Sequence, residues 1–306
     1  MAFDFYFAGS QCQETTDLIR DLNANVLKSY VNDMRTIKKW FEYKKNGWKG
    51  NLIIDNGAFT VHKKGGEINI DEYIQWLNEN DEFIDYAIAL DHIPGIRGKE
   101  KTQEEVAYAP VKTWENYMYM VEKCKSPQKL LPVFHQPENF KYLKQILDFR
   151  IDGEPVKYMC ISGNKELTKK QREDWYCEVY DFIKKSSNPN IKTHILGSAT
   201  ISDAENFPCT SMDASSWIMT GANGSIFTDR GNILISSANT KSPENIIHAD
   251  KTTIEYVEQY CRECGYELKD AQDDYKMRML INIKYLYRRS TQCKYVGRNF
   301  VKKRLF

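Results

Sequence analysis

The chain has 306 residues, 42% of them hydrophobic and 13% aromatic, enough for the core of one large α/β domain or two smaller ones. A formal net charge of +1 excludes a global field that draws in nucleic acid, so any such binding must come from a local patch. No apolar run approaches the roughly 20 residues that span a bilayer, so no membrane partner is expected.

In chain order, MAFDFYFAGS carries Asp4 inside its apolar stretch and has no basic leader. Phe3–Ala8 is therefore expected as a first strand and not as a signal peptide. Strand-like runs follow at Leu52–Ile54, Tyr86–Leu90, Leu130–Phe134, Tyr158–Ile161 and His194–Leu196, with Thr210–Met212 a weaker seventh. Between them lie amphipathic segments at Asp71–Leu77, Val111–Lys123, Phe140–Asp148 and Lys169–Lys185. This alternation predicts a largely parallel sheet. Six or seven such units in about 215 residues fit a closed (β/α) barrel, and an open doubly wound sheet competes with it. The dinucleotide-binding form of that open sheet wants GxGxxG after the first strand. Here the position reads AGSQCQET, which argues against that form alone.

The pattern changes after Trp217. SIFTDRGNILI holds two short β-rich runs around Asp229-Arg230-Gly231, a hairpin signal. Helices are expected at Thr253–Cys264, stopping at Gly265, and at Leu268–Arg289. The tail CKYVGRNFVKKRLF is basic with aromatics. No linker or repeat divides the chain, so 1–306 is taken as a single domain in which 237–306 forms a helical extension and basic tail. The eight cysteines are scattered and read as reduced thiols of a cytoplasmic protein rather than a disulfide framework.

Three apolar runs stop at an aspartate followed by turn residues: Asp55 in NLIIDNGAF, Asp91 in DYAIALDHIPG and Asp213 in PCTSMDASSW. In α/β barrels the C-terminal strand ends carry the active site. Carboxylates gathered there suit chemistry at a sugar carbon, where one attacks and another handles protons. Each motif also has a plainer explanation. Asp-Asn-Gly forms Asx-turns, and Pro94-Gly95 after Asp91 makes a turn of its own. LPVFHQP puts His135 and Gln136 at another strand end, where a glutamine suits reading a base edge and His135 equally suits the core. CISGN and HILGSAT supply Gly163 and Gly197, which permit close backbone contact with a ligand.

The stretch from Thr210 to Ile235, with GANGSIFTDRGNILI, resembles the tRNA-guanine transglycosylases, whose nucleophilic aspartate precedes G-R-N-G-x-A-F-T-x-x-G-x-I-N-I. The resemblance runs from about residue 50 to 236 and keeps its motifs in order. It implies that Asp213 is the nucleophile. DNGAF resembles D-S-G-G-F/Y, which makes Asp55 the proton-handling aspartate. ALDHIPG resembles F-D-E-C-x-P, which makes Asp91 the base-recognising one. VFHQPENFKYL resembles Q-G-x-x-x-x-x-L, so His135 or Gln136 takes the base-contacting position. Gly163 and Gly197 fall on the glycine-bearing strand ends of the base pocket. The implied fold is a (β/α)8 TIM-type barrel with a hairpin insertion and C-terminal helices. The implied enzyme is a pentosyltransferase that exchanges a guanine base, with no redox cofactor or ATP.

Two departures shape the expectation. Met219 and Ala222 stand where tRNA-acting relatives have arginines facing the tRNA. The family's zinc motif C-x-C-x-x-C with a later histidine is reduced to Cys261-x-x-Cys264, with His248 and Cys293 the remaining candidates. No bound metal is expected, Cys261 and Cys264 being weak zinc candidates that read as packing residues. A compact chain of this kind looks like the DNA-acting branch, which exchanges guanine in DNA for a 7-deazaguanine in phages and bacteria. Its partners would be DNA, single-stranded or with the guanine flipped out, and the free base. Its location would be the cytoplasm, or the host cytoplasm for a phage protein. Phosphate contacts are expected from Arg288, Arg289, Arg298, Lys302, Lys303 and Arg304. A tRNA-acting enzyme is the alternative within the family. A non-catalytic nucleic-acid-binding subunit of a modification complex is the alternative outside enzymes.

Overall fold

The computed structural model describes residues 3–9, 12–95, 99–164, 166–197 and 200–297. Its first half contains β1 (Asp4–Ala8), α1 (Gln13–Asp21), β2 (Asn25–Ser29), α2 (Met34–Lys45), β3 (Leu52–Asp55), α3 (Ala58–Lys63), α4 (Ile70–Glu79), β4 (Tyr86–Ile88) and α5 (Gln103–Lys123). Next come β5 (Leu130–Leu131), β6 (Val133–His135), α6 (Phe140–Asp148) and a small ribbon of β7 (Arg150–Ile151) and β8 (Glu154–Pro155). The last barrel units are β9 (Tyr158–Ser162), α7 (Lys169–Lys184), β10 (Lys192–Ile195), α8 (Ile201–Asn206) and β11 (Ser211–Ala214).

The main sheet is parallel and runs β5-β4-β3-β2-β1-β11-β10-β9-β6. Its two end strands are one stretch of chain, interrupted by Pro132, which has no N–H to give the ladder. On one side Leu131 O accepts from Ala89 N at 3.0 Å, and on the other Pro132 O accepts from Cys160 N at 2.8 Å. The sheet therefore closes on itself. With β5 and β6 counted as one, this is an eight-stranded (β/α) barrel of TIM type.

Alternation along the strands separates two cores. Tyr6, Leu27, Ile53, Leu131, Tyr158 and Cys160 point inward and fill the barrel. Their neighbours Phe5, Phe7, Val26, Leu52, Ile54 and Met159 point outward, into the larger cluster beneath the helices.

Three departures from the sequence-based expectation have a clear local cause. Strand β2 was not anticipated, because Lys28 interrupts the apolar pattern of NVLKS. Lys28 is 2% exposed, donates from Nζ to Gly9 O, and lies over the Trp40 ring at 5.6 Å. Helix α5 starts eight residues before Val111, behind a capping box in which Thr102 Oγ1 accepts from Glu105 N at 3.1 Å. Pro110 lies inside that helix and reads as a breaker in sequence. The expected helix Leu268–Arg289 is split at Asp274, whose carboxylate accepts from Lys276 N at 2.7 Å and caps a new helix.

The C-terminal extension begins with α9 (Ser216–Ala222) and the hairpin β12 (Ser225–Thr228) and β13 (Gly231–Leu234). It continues with α10 (Lys251–Glu263), α11 (Leu268–Asp273) and α12 (Tyr275–Gln292). Helix α12 lies close against α9. A Cβ on Gly221 would stand 2.7 Å from Met279 Cγ, so only glycine fits without a shift. Two buried polar side chains of α12 fix it against α9 and β12. Arg278 Nε donates to Gly221 O at 2.8 Å, and Asn282 Oδ1 accepts from Phe227 N at 2.7 Å. Trp217 is fully buried and donates from Nε1 to Ala8 O at 3.1 Å, tying α9 to the first strand. The segment after Asp213 is thus anchored to the barrel on one side and to the extension on the other.

Candidate active site

All three strand-end aspartates lie at the C-terminal mouth of the barrel. Asp55 is the last residue of β3, Asp91 follows β4, and Asp213 lies within β11. They share one electrostatic field. Burial, and then the negative charges of Asp91 and Asp213, push the Asp55 carboxyl up to about 7, against a Gly57 backbone hydrogen bond that acts the other way. The lumen thiol of Cys160 feels all three as well: burial first, then Asp213, Asp55 and Asp91, raise it well above the ordinary thiol value. Cys160 is therefore a neutral wall of the site and not a nucleophile.

Asp91 is held on both oxygens. Oδ2 meets His135 Nε2 at 2.9 Å, and Oδ1 accepts from Asn56 Nδ2 at 3.0 Å. Asn56 also donates to Ala89 O at 2.8 Å and accepts from Ala58 N at 2.8 Å, so its amide is fixed. The other His135 nitrogen, Nδ1, meets Glu138 Oε1 at 3.1 Å. Burial alone would lower the His135 pKa, but the flanking Asp91 and Glu138 raise it to about 10. His135 is an imidazolium at neutral pH. Burial likewise opposes ionisation of Asp91, and the His135 and Asn56 contacts outweigh it and hold Asp91 below the usual carboxylate value.

Asp213 is 7% exposed and held on one oxygen. Oδ1 accepts from Gly197 N at 2.8 Å and meets His194 Nε2 at 3.3 Å. Gly197 adopts a φ of +56°, in the left-handed region, which turns its N–H toward the carboxylate. Oδ2 has no hydrogen-bond partner among the described residues. One oxygen is thereby fixed and the other is presented.

Not every expected residue joins this group. His135 ends β6 facing the aspartates, whereas Gln136 follows it on the opposite side, as strand alternation requires. Gln136 Oε1 accepts from Asn164 N at 3.2 Å and its Nε2 donates to Gln171 O at 3.4 Å, so it braces the β9–α7 loop. Gly163 is explained by packing, since a Cβ there would meet Tyr176 Oη at 2.6 Å. Arg288 forks onto Asp229 at 2.9 and 2.8 Å, and Arg289 meets Glu205 at 3.0 Å, so both guanidiniums are engaged in ion pairs. Arg298, Lys302, Lys303 and Arg304 lie outside the described residues. Cys261 and Cys264 are buried in an apolar cluster with Ile226, Ile235 and Val257, while Cys293 packs in the main core and His248 is exposed, bonded to Thr240 O. The four do not come together. Among the described residues no three His, Cys, Asp or Glu side chains form a metal-ligand group.

Sequence reasoning missed Asn56, Glu138, His194 and Ser211. The spacing His135-x-x-Glu138 was a usable signal, since a turn after a strand brings i and i+3 together. For His194 the signal was parity: it faces inward, in step with Leu196, at the end of a buried run.

No protein-family profile and no curated protein sequence matches the chain. Among solved structures it is similar to the carboxyl transferase domain of Rhizobium etli pyruvate carboxylase with 3-hydroxypyruvate, at 8% identity and a TM-score of 0.38. The match covers 95% of this chain and 48% of that one, so the chain spans about half that length. A likeness this distant carries no functional argument. Among the described residues, no helix is long and apolar enough to cross a membrane.

Proposed function

We propose that the protein is a transglycosylase that exchanges guanine in DNA for a 7-deazaguanine base through a covalent aspartyl-glycosyl intermediate. The observation that carries this reading is the division of labour among three adjoining carboxylates. Asp213 has one oxygen without a hydrogen-bond partner among the described residues, Asp55 is held near 7, and Asp91 is kept ionised by His135. The opposite shifts of Asp55 and Asp91 suit the first to proton transfer and the second to binding as a carboxylate.

In the proposed reaction Asp213 Oδ2 forms a bond to the anomeric carbon as the bond from that carbon to guanine N9 breaks. Guanine leaves with the electron pair and takes a proton from Asp55. The incoming 7-deazaguanine then gives its N9 proton to Asp55 and attacks the same carbon. The ester bond to Asp213 breaks, and the electron pair returns to the carboxylate. A group near 7 is suited to both proton transfers. Asp91 offers an acceptor to the edge of the base, and His135, in the position where the family has its glutamine, lies between Asp91 and Glu138 and holds that carboxylate in place. This base exchange needs no redox cofactor or ATP. A guanine within a duplex must be flipped out or presented single-stranded to reach a site inside the barrel mouth.

DNA is favoured over tRNA by helix α9 after the nucleophile. Met219 is 59% exposed and Ala222 is also exposed, where tRNA-acting relatives have cations. Incubation with labelled guanine and either DNA or tRNA tests the proposal. Label entering DNA, with a protein–DNA adduct that survives denaturation, is the expected result. Label entering tRNA alone would move the substrate. Neither label nor adduct under any condition would leave a non-catalytic nucleic-acid-binding subunit.

A further inference from the structure

Behind Asp213 a line of buried polar groups crosses three neighbouring strands. Tyr158 Oη on β9 meets Ser211 Oγ on β11, Ser211 Oγ meets His194 Nδ1 on β10 at 2.5 Å, and His194 Nε2 meets Asp213 Oδ1 at 3.3 Å. His194 and Ser211 are 0% exposed. The parallel register sets His194 directly against Ser211 and Cys160, so the contact follows from the ladder itself. The Tyr6 ring closes the other side, edge-on to His194 at 5.5 Å. A buried neutral imidazole has one donor and one acceptor nitrogen to satisfy. This one has a partner on each nitrogen, and the chain ends on a carboxylate at the barrel mouth.

We infer that His194 is a positioning residue for the nucleophile, acting through a one-directional hydrogen-bond chain. Tyr158 donates to Ser211, Ser211 donates to Nδ1, and Nε2–H donates to Asp213 Oδ1. Each donor polarises the next, and the last bond is to a charged acceptor. With Gly197 N–H on the same oxygen, the carboxylate cannot rotate, and Oδ2 is the oxygen that attacks. The inference rests on the transglycosylase reading and deepens it. The chain matters most when Asp213 leaves. In the intermediate Asp213 is a neutral ester; as the bond from Oδ2 to the anomeric carbon breaks, the electron pair returns and negative charge develops on both oxygens. A donor already aimed at Oδ1 stabilises that charge without rearrangement. Removing it slows release of the sugar to the incoming base more than it slows formation of the adduct.

The experiment compares wild type with His194→Ala, His194→Gln and Ser211→Ala, using DNA substrate and rapid denaturation to count the covalent adduct through a single turnover. In His194→Ala, adduct resolution is expected to slow by about 10- to 100-fold, the worth of one hydrogen bond to a charged group. Adduct should accumulate, with the KM for the free base unchanged. His194→Gln keeps a donor toward Asp213 and should recover most of the resolution rate. Ser211→Ala removes one oxygen, is least disturbing to folding, and should give a smaller slowing of the same step. Equal slowing of formation and resolution, or a full resolution rate in His194→Ala with only a lowered melting temperature, would reduce His194 to a core histidine. Absence of adduct in the wild type would instead remove the transglycosylase reading, a result distinct from either.

Discussion

Asp91, just after β4, and His135, the last residue of β6, meet at 2.9 Å at the mouth of the barrel, and Glu138 closes the other side of the imidazole at 3.1 Å. The side chains are 13%, 21% and 12% exposed in the order Asp91, His135, Glu138, so water screens the group only in part. His135→Ala leaves two carboxylates facing each other without their cation. The expected cost is about 3 kcal/mol or more in unfolding free energy, as for a buried pair that loses one partner. His135→Gln should lose less stability and should change the KM for the base. The raised His135 pKa contributes stability in full below the ordinary histidine value near 6.5, and that stability is lost as pH rises through about 10. Urea unfolding across pH 6 to 11 (about five units, either side of both values) checks this: a wild-type curve that parallels His135→Ala throughout contradicts the ion pair.

Asp55 shows the same sign of pH dependence in a lower window. Its folded pKa of about 7 is above the unfolded value of 3.8, so the folded state binds the extra proton between them. Stability therefore falls as pH rises through that window and levels off above about 7. Asp55→Asn removes the ionisation and should gain up to about 4 kcal/mol over wild type at alkaline pH. The same variant should lose roughly 10²–10⁴-fold in turnover. A variant that is less stable than wild type at pH values above 8 (roughly one unit past the folded pKa), or that turns over at the normal rate, would reduce Asp55 to a turn residue.

Asp213→Ala should abolish base exchange and the denaturation-resistant adduct. It also strips the acceptor from Gly197 N and His194, so a stability loss of about 1–3 kcal/mol is expected alongside. Asp213→Asn keeps an oxygen for Gly197 N–H and should be nearer wild type in stability, yet equally inactive. Mass analysis of the trapped adduct locates the modified residue, and an adduct that persists in Asp213→Ala would move the nucleophile elsewhere.

Deleting residues 298–306 removes Arg298, Lys302, Lys303 and Arg304. DNA affinity should fall and its salt dependence should flatten, without a change in which base is accepted. Because Arg288 and Arg289 are engaged with Asp229 and Glu205, replacing either by alanine should have the smaller effect on binding. Titrations at several salt concentrations separate the two, and an unchanged salt slope in the truncated protein would place the phosphate contacts on another surface.

Much of the barrel was legible in the sequence because strands and helices are local patterns. The run Phe140–Asp148 is the helix α6 in full, and the apolar runs before Asp55, Asp91 and Asp213 are strands that end at the mouth. Local signals failed where a tertiary contact paid for a residue of the wrong type. Lys28 is buried in β2 because the Gly9 carbonyl and the Trp40 ring receive it, and Pro110 sits inside α5. Closure of the sheet, and the choice of His135 over Gln136, were also beyond the sequence. Strand order is a long-range property, and which of two adjacent residues faces the lumen depends on a register that only the neighbouring strands set. The same holds for His194. Its chemistry is written in the sequence, but its partners Ser211 and Asp213 lie 17 and 19 residues away, and only the parallel pairing of β10 with β11 sets its ring between them.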